Sequence, residues 1–312
     1  MLLEISPLSL KIWLCSFLFI LAVPWVRAEN GKSVVAHRGA SGYAPEHTVA
    51  AYRLALLQNA DYVEQDLHVT SDGVLVCRHD ITLERTTNVE SVFPNRFRRD
   101  MTGDGGELHW HINDFTLEEL KVLDAGSWFD DKFAGSRILS FAEAVAIVRG
   151  KSGIYPELKD PEFYAERGID MVGLFLEELK RLGLETPESD PDTPVIIQCF
   201  SAETLRQLKK RGCRHPMTFL VNRSQADWLG SGKIRDIAKF ADGIGPDKNL
   251  LYEDPLIVER AQAAGLTVTP YTFRKTSVPE KFKDVTEEMR HALETLGADA
   301  LFTDNPDMFP RD

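Results

Sequence analysis

Four short apolar runs of the sequence end in charged and imidazole side chains. They are VVAHRG at 34–39, YVEQDLHV at 62–69, VCRHD at 76–80 and YPELK at 155–159. Because side chains alternate between the two faces of a strand, Glu64 and Asp66 share one face, and Glu157 and Lys159 share another. With His37, Arg38 and His79 they form a set that suits a metal-assisted site for an anionic phosphate ester.

Each of these residue types has a natural task in such a site. Glu64, Asp66 and Glu157 favour a hard cation such as Ca²⁺ or Mg²⁺, because both prefer oxygen ligands, whereas zinc favours nitrogen and sulfur. Arg38 can bind phosphate as a rigid fork and Lys159 as a point charge. His37 and His79 can exchange protons near neutral pH, one with the nucleophile and the other with the leaving oxygen. The sequence leaves open which histidine does which.

Strand-like and helix-like segments alternate along most of the chain. The candidate strands are 33–38, 62–69, 153–158, 195–200, 217–222, 241–245, 267–273 and 300–303, and the helical patterns are 47–59, 163–182, 202–211, 255–264 and 285–296. This alternation predicts parallel strands joined by right-handed crossovers, and eight of them predict an α/β fold, the closed (β/α)8 TIM barrel. A doubly wound open sheet competes with it, but no glycine-rich phosphate loop follows the first strand.

The region from about 80 to 140 interrupts this rhythm. Asp72-Gly73 predicts a tight turn, so 74–79 is expected to pair as a hairpin with the second strand. The residues that follow predict an insertion over one end of the barrel, after the second strand. Its His109-Trp110-His111 motif is interpreted as surface or lid rather than a metal site, and 100–106 as a glycine-rich turn rather than a calcium loop.

The first 28 residues have the pattern of a secretory signal. Lys11 precedes an apolar stretch, and Val26-Arg27-Ala28 has the small-residue spacing of a cleavage site. We therefore expect an exported protein, periplasmic or secreted, with a single domain over 29–312 and no stable membrane insertion after cleavage. The alternative is an uncleaved N-terminal anchor.

Charge and cysteine content narrow the function further. The formal net charge of −12 repels polyanions, so general nucleic-acid binding is not expected. A small anionic substrate is compatible with this charge if a bound cation makes the pocket locally positive. After removal of the signal, Cys77, Cys199 and Cys213 remain; one disulfide is conceivable, but no disulfide framework is evident.

The motifs HRG, PEHT, E-x-D, HD and PELK, in this order, closely resemble those of the glycerophosphodiester phosphodiesterase family. The resemblance extends to QCFS at 198–201, PYTFR at 270–274 and FTDNP at 302–306, and so covers nearly the whole mature chain. The insertion motifs TLERTTNV and TLEELKVLDAGSWF are similar to those of the exported bacterial branch. The resemblance implies a TIM barrel that hydrolyses deacylated phospholipids, small-molecule glycerophosphodiesters, to glycerol 3-phosphate and an alcohol.

The resemblance also implies roles for individual residues. His37 and His79 match the acid–base pair, and the metal ligands Glu64, Asp66 and Glu157 would hold one divalent cation, Ca²⁺ in preference to Mg²⁺. Arg38 and Lys159 match phosphate contacts, Glu46 is retained near the substrate, and Tyr271, where many relatives carry tryptophan, is expected to line the pocket. His47 departs from the family by replacing an asparagine.

The sequence leaves three questions open. Asp304 suits either the orientation of a catalytic group or the capping of the next turn. The nucleophile is either the hydroxyl beside the phosphate, which has a high effective concentration, or water. The alternative functions are a phospholipase acting on intact lipid and a catalytically silent surface-binding protein on the same barrel.

Overall fold

The computed structural model describes residues 31–99 and 107–311. The strands are β1 Ser33–Ala36, β2 Tyr62–Val69, β3 Leu75–Cys77, β4 Arg98–Arg99, β5 Leu108–His109, β6 Gly153–Leu158, β7 Ile197–Cys199, β8 Met217–Val221, β9 Gly243–Pro246, β10 Thr267–Val268 and β11 Ala300–Thr303. The helices are α1 Val49–Leu57, α2 Val89–Val92, α3 Leu117–Leu120, α4 Phe141–Val148, α5 Pro161–Ala165, α6 Met171–Arg181, α7 Ala202–Lys210, α8 Ile234–Ile237, α9 Lys248–Glu253, α10 Ile257–Ala263 and α11 Val285–Arg290.

Eight parallel strands form the predicted barrel. Their order around the sheet is β10-β9-β8-β7-β6-β2-β1-β11, and β3 pairs antiparallel with β2 as the predicted hairpin. The segment after β10 closes the ring: the Phe273 N–H donates to the Phe302 carbonyl at 2.9 Å, and the Phe302 N–H donates to the Pro270 carbonyl at 3.0 Å. The prediction of a (β/α)8 barrel is thereby confirmed.

An aromatic layer fills the barrel directly beneath the predicted site. The rings of Tyr62 and Tyr155 lie 5.9 Å apart, and that of Tyr155 lies 5.0 Å from the ring of Phe302 on β11. Tyr62 lies two residues before Glu64 on β2, and Tyr155 lies two before Glu157 on β6, so each shares a face with the carboxylate above it. The predicted acidic groups therefore rest on a packed apolar floor.

The predicted helix over 163–182 is wrong as one element. The structure divides it into α5 and α6 at Gly168, whose φ of 74° lies in the left-handed region that favours glycine. The Asp170 side chain then accepts from the Gly173 N–H and begins α6. A local turn and a cap thus interrupt a periodic pattern that is otherwise helical.

The described part of the insertion has an apolar core of its own. Leu83, Trp110, Ile112 and Phe115 are buried in it and pack with Val76 of β3. His109 pairs with Glu84 at 2.7 Å, while His111 stacks on Phe163. Among the described residues these two histidines join no candidate metal cluster. Residues 100–106, where a glycine-rich turn was predicted, lie outside the described residues.

The structure does not test two predictions about the chain as a whole. The predicted signal at 1–28 lies outside the described residues, and the single domain over 29–312 stays a prediction. Within 31–99 and 107–311, no helix has the length and apolar character needed to cross a membrane. Cys77, Cys199 and Cys213 are all free thiols, so the one conceivable disulfide does not form among them.

Candidate active site

A cavity of about 160 Å³ opens at the carboxyl ends of the barrel strands. This volume suits a small polar ligand, since drug-sized pockets start at about 300 Å³. Eight of the nine predicted site residues line it: His37, Arg38, Glu64, Asp66, His79, Glu157, Lys159 and Tyr271. The ninth, Glu46, is buried and does not line the cavity itself, but it pairs with the lining residue Arg38 at 3.1 Å.

Strand register brings the three predicted metal ligands together. Asp66 on β2 is directly opposite Glu157 on β6, and Glu64 precedes Asp66 on the same face. One oxygen of each carboxylate lies within 4.8 Å of those of the other two, and all three residues are buried. This is the only such cluster of potential ligands among the residues that the structure describes.

The buried, mutually repelling carboxylates of this cluster favour the binding of a cation. Burial, together with the charge of Asp66, raises the pKa of Glu64 well above its ordinary value. Burial raises the pKa of Glu157 to about 8, although Lys159 opposes the change. Asp66 is also buried, but Lys159 and His47 hold its pKa well below its usual range. An all-oxygen set of buried, mutually repelling carboxylates fits a hard divalent ion, which would let all three ionise.

Two buried side chains behind the cluster hold the carboxylates in place. His47 Nε2 lies 2.9 Å from Asp66 Oδ2, and its Nδ1 lies 2.9 Å from the Tyr52 hydroxyl. Because a carboxylate can only accept, Nε2 carries the proton and Nδ1 accepts from Tyr52. Gln198 Nε2 donates to Glu64 Oε1 at 2.9 Å. Sequence reasoning gave neither His47 nor Gln198 this role, although both lie in quoted motifs.

His37 has the geometry of a proton acceptor. Its Nδ1 lies 2.6 Å from Asp304 Oδ1, so Nδ1–H donates to this carboxylate and Nε2 is left with its lone pair. Nε2 lies 3.8 Å from Glu64 Oε2, on the side of the acidic cluster. Burial and the neighbouring Arg38 lower the pKa of His37 to about 4, against the attraction of Asp304. The imidazole is therefore neutral at pH 7.

His79 has a matching carboxylate but a more open position. Its Nδ1 lies 2.6 Å from Asp80 Oδ1, and its side chain is 35% exposed, against 9% for His37. In both cases an arginine Nε holds the second carboxylate oxygen: Arg274 for Asp304 at 3.0 Å and Arg85 for Asp80. The two histidines are therefore oriented alike while differing in contact with solvent.

The cations of the site are held by its own carboxylates. Lys159 Nζ lies 3.1 Å from Glu157 Oε1 and 4.0 Å from Asp66 Oδ1. Arg38 Nε lies 3.3 Å from Asp66 Oδ2 and, although buried, makes no hydrogen bond. A buried guanidinium N–H that has no hydrogen-bond acceptor among the described residues is available to an anionic ligand.

The turn after β1 explains why glycine follows His37 and Arg38. Gly39 has a φ of 84°, and a side chain there would meet the backbone of Ala51 at 2.8 Å. The Ala40 N–H donates to the Ala51 carbonyl at 3.0 Å in the same contact. The turn thus packs directly on α1, which fixes the direction of Arg38.

Aromatic side chains form the remaining wall of the cavity. Tyr271 lines it as predicted, and its ring meets Phe200 edge-on at 5.9 Å. Phe200, Leu220 and Arg274 also line it and were not predicted. Phe200 and Arg274 lie in the QCFS and PYTFR motifs, so the resemblance carried a signal for them that spacing did not.

The barrel and its acidic, histidine-bearing cavity place the chain among TIM-barrel hydrolases. It belongs to the glycerophosphoryl diester phosphodiesterase family, whose model matches residues 37–308. A glycerophosphodiester phosphodiesterase of Haemophilus influenzae is 32% identical over 337 positions, covering 89% of this chain and 89% of the relative. One of Bacillus subtilis is 31% identical over 283 positions, covering 88% and 84%.

Solved structures agree with this assignment. A phosphodiesterase of Oleispira antarctica in complex with the product sn-glycerol-3-phosphate has a TM-score of 0.67 and 27% identity, and the match covers 88% of this chain and 94% of that one. A glycerophosphodiester phosphodiesterase of Agrobacterium tumefaciens has a TM-score of 0.65 and 26% identity over 89% and 98%. The fold and family predictions are confirmed, while the roles of single residues stay predictions.

Proposed function

We propose that this protein hydrolyses glycerophosphodiesters, the deacylated phospholipids, to glycerol 3-phosphate and an alcohol. The observation that carries the proposal is the convergence of three buried carboxylates, two histidines and two cations in one small cavity. The names of the relatives in Haemophilus influenzae and Bacillus subtilis support the substrate class. The product bound in the Oleispira antarctica structure supports the products.

The chain's own residues suffice to bind the phosphate and move the protons. Arg38 and Lys159 pair with two phosphate oxygens, since both cations line the cavity. His37 accepts a proton at Nε2 from the attacking hydroxyl, because its Nδ1 is committed to Asp304. His79, at the more open side, donates a proton to the leaving alcohol oxygen.

Glu64, Asp66 and Glu157 would hold one divalent cation. When bound, it supplies positive charge that draws electron density from the phosphodiester and offsets the charge of the carboxylates. We favour Ca²⁺ over Mg²⁺, because Ca²⁺ accepts six to eight oxygen ligands in flexible arrangements, whereas Mg²⁺ is usually held by one or two carboxylates. Removing metal with chelator and restoring Ca²⁺ or Mg²⁺ separately tests this preference through the activity that each ion returns.

The decisive experiment is an assay of two products: glycerol 3-phosphate from the deacylated substrates, and choline from both glycerophosphocholine and phosphatidylcholine. Purified protein with each cation is supplied with glycerophosphocholine, glycerophosphoethanolamine and intact phosphatidylcholine. We expect turnover of the first two and none of the third. Binding of glycerophosphocholine without turnover would instead support the silent binding protein. A substrate analogue without the hydroxyl beside the phosphate distinguishes internal attack, where it fails, from attack by water, where it reacts.

We also propose that the protein is exported, as in the branch that its insertion motifs resemble. The signal pattern of residues 1–28 supports this, together with the insertion motifs. Cell fractionation and N-terminal sequencing test it: export predicts a mature chain that begins at Glu29. An Ala28→Arg variant is expected to retain the precursor, and a full-length chain in the cytoplasm of the wild type would contradict export.

A further inference from the structure

One half-exposed arginine at the start of the insertion contacts two carboxylates that belong to different parts of the site. Arg85 Nη2 lies 2.7 Å from Glu46 Oε1, and its Nε donates to Oδ2 of Asp80. The other oxygen of Glu46 accepts from Arg38 Nη1 at 3.1 Å, and the other oxygen of Asp80 lies 2.6 Å from His79 Nδ1. A continuous chain of charged contacts therefore runs from the phosphate-binding arginine to a catalytic histidine.

Because Glu46 and Arg38 are buried, this series of contacts holds its side chains more firmly than an exposed ion pair does. An isolated exposed pair contributes about 0–1 kcal/mol to stability, because solvent screens it. Here the Glu46 side chain is only 8% exposed and that of Arg38 only 13%, although Arg85 itself is 45% exposed. The guanidinium carbon of Arg85 lies over the indole ring of Trp128, 5.9 Å from the centre of that ring. A planar fork between two fixed carboxylates restricts both of them.

His37 has no such link through the insertion. Asp304, the partner of His37, accepts from Arg274 Nε at 3.0 Å. Within the part of the chain that the structure describes, Arg274 pairs with no further carboxylate. His37 instead directly precedes Arg38 in the chain, so only His79, which reaches the site from the hairpin and not from a barrel strand, depends on a side chain of the insertion for its link to the phosphate-binding arginine.

We propose that Arg85 is a positioning residue that couples His79 to Arg38, so that the insertion sets the geometry between the proton donor and the phosphate contact. This inference rests on the proposed function. Glu46 is then the buried link to Arg38 and makes no contact with substrate. Displacing either end by a fraction of an ångström lowers the rate, because proton transfer requires hydrogen-bond distance to the leaving oxygen.

Arg85→Met removes both contacts and keeps most of the side-chain length. We expect kcat for glycerophosphocholine to fall about ten- to hundredfold, part of the contribution of an acid–base residue, and KM to rise. Arg85→Lys should recover part of the loss, because it keeps the charge without the fork. The matched control is Arg98→Met, since Arg98 is 40% exposed and pairs with Asp114 in the same insertion. It should leave both constants within about twofold.

A double-mutant cycle separates coupling from general damage. Glu46→Gln and Asp80→Asn are made singly and together, in wild-type and Arg85→Met backgrounds, and unfolding temperatures are compared. In the wild-type background the loss of kcat/KM in the double variant should be smaller than the product of the single losses; in the Arg85→Met background the losses should multiply. The inference is overturned if the losses are independent in both backgrounds, or if the Arg85→Met enzyme is as active as the Arg98→Met enzyme. In either case, turnover by the wild type still supports the proposed function. A wild type without turnover overturns both.

Discussion

His37 Nδ1 lies 2.6 Å from Asp304 Oδ1, although 267 positions separate the two residues in the sequence. The contact joins the end of β1 to the end of β11, which are neighbours in the barrel. It fixes the imidazole tautomer, since the carboxylate can only accept a proton. Of the two readings that the sequence left open for Asp304, the geometry favours the orientation of a catalytic group.

Asp304→Asn is therefore expected to lower kcat strongly. The amide can donate to Nδ1, which favours the tautomer with the proton on Nε2, where it cannot accept one from the nucleophile. Loss of a correctly oriented base lowers turnover by about 10²–10⁴-fold. Steady-state kinetics on glycerophosphocholine measure the effect, and KM should change little. Asp307→Asn is the control, since Asp307 accepts from the exposed Tyr43 hydroxyl and not from a histidine. Equal losses of kcat in both variants would contradict the role of Asp304 in orienting His37.

His47→Leu is expected to weaken metal binding more than it weakens the fold. The variant leaves Asp66 Oδ2 without its donor at 2.9 Å, so the ligand loses its fixed direction. Loss of such an outer contact costs about 10–100-fold in metal affinity. His47→Gln, which retains an N–H donor, should recover part of it. Equilibrium dialysis with Ca²⁺, in the absence of substrate, provides the measurement.

The control for His47 is another buried histidine remote from the acidic cluster. His215 Nε2 donates to the Leu184 carbonyl at 2.8 Å. His215→Leu should therefore lower the unfolding temperature as a buried donor is lost, yet leave the Ca²⁺ affinity unchanged. If both substitutions reduced affinity equally, His47 would have only a structural role.

Glu157→Gln should stabilise the metal-free protein and abolish stabilisation by metal. Burial, against the opposing charge of Lys159, raises the pKa of this carboxyl to about 8, so the folded state resists its ionisation. The neutral amide removes that cost but also removes one of three metal ligands. For the wild type, Ca²⁺ at a hundredfold excess over its dissociation constant adds about 2.7 kcal/mol to the free energy of unfolding. Urea titrations with chelator and with Ca²⁺ measure both effects, and a variant stabilised by Ca²⁺ as much as wild type would argue against Glu157 as a ligand.

Short-range patterns made the barrel and the acidic cluster predictable. Alternation places Glu64 and Asp66 on one face, and a parallel barrel brings strand ends together. These two rules are enough to predict that the site residues lie close together, although they give no distances. The pattern could not reveal that 163–182 is interrupted, because a single left-handed residue, Gly168, decides it.

The supporting contacts were not predictable, because each depends on tertiary register or on the path of the insertion. Gln198 reaches Glu64 only because β7 lies beside β6 with Gln198 opposite Glu157. Arg85 contacts Glu46, which lies 39 positions earlier in the sequence, and Asp80, which lies five positions earlier, from a segment without periodic pattern. The prediction that Glu46 meets substrate followed from a motif alone and stays a prediction, whereas its ion pair with Arg38 at 3.1 Å was not foreseen.

The stability of the protein should fall on mild acidification in a way that His215 helps to cause. Burial lowers the pKa of this imidazole below its ordinary 6.5. The unfolded state therefore binds the proton first, so the free energy of unfolding is highest above pH 6.5 and decreases as the pH falls below it. One group contributes at most about 1.4 kcal/mol per pH unit. Urea unfolding of wild type and His215→Gln at pH 7.5 and 5.5, both with chelator, isolates this contribution, because the titration of all shared groups cancels. The wild type should lose more stability than the variant, and equal losses would show that His215 is readily protonated in the folded protein.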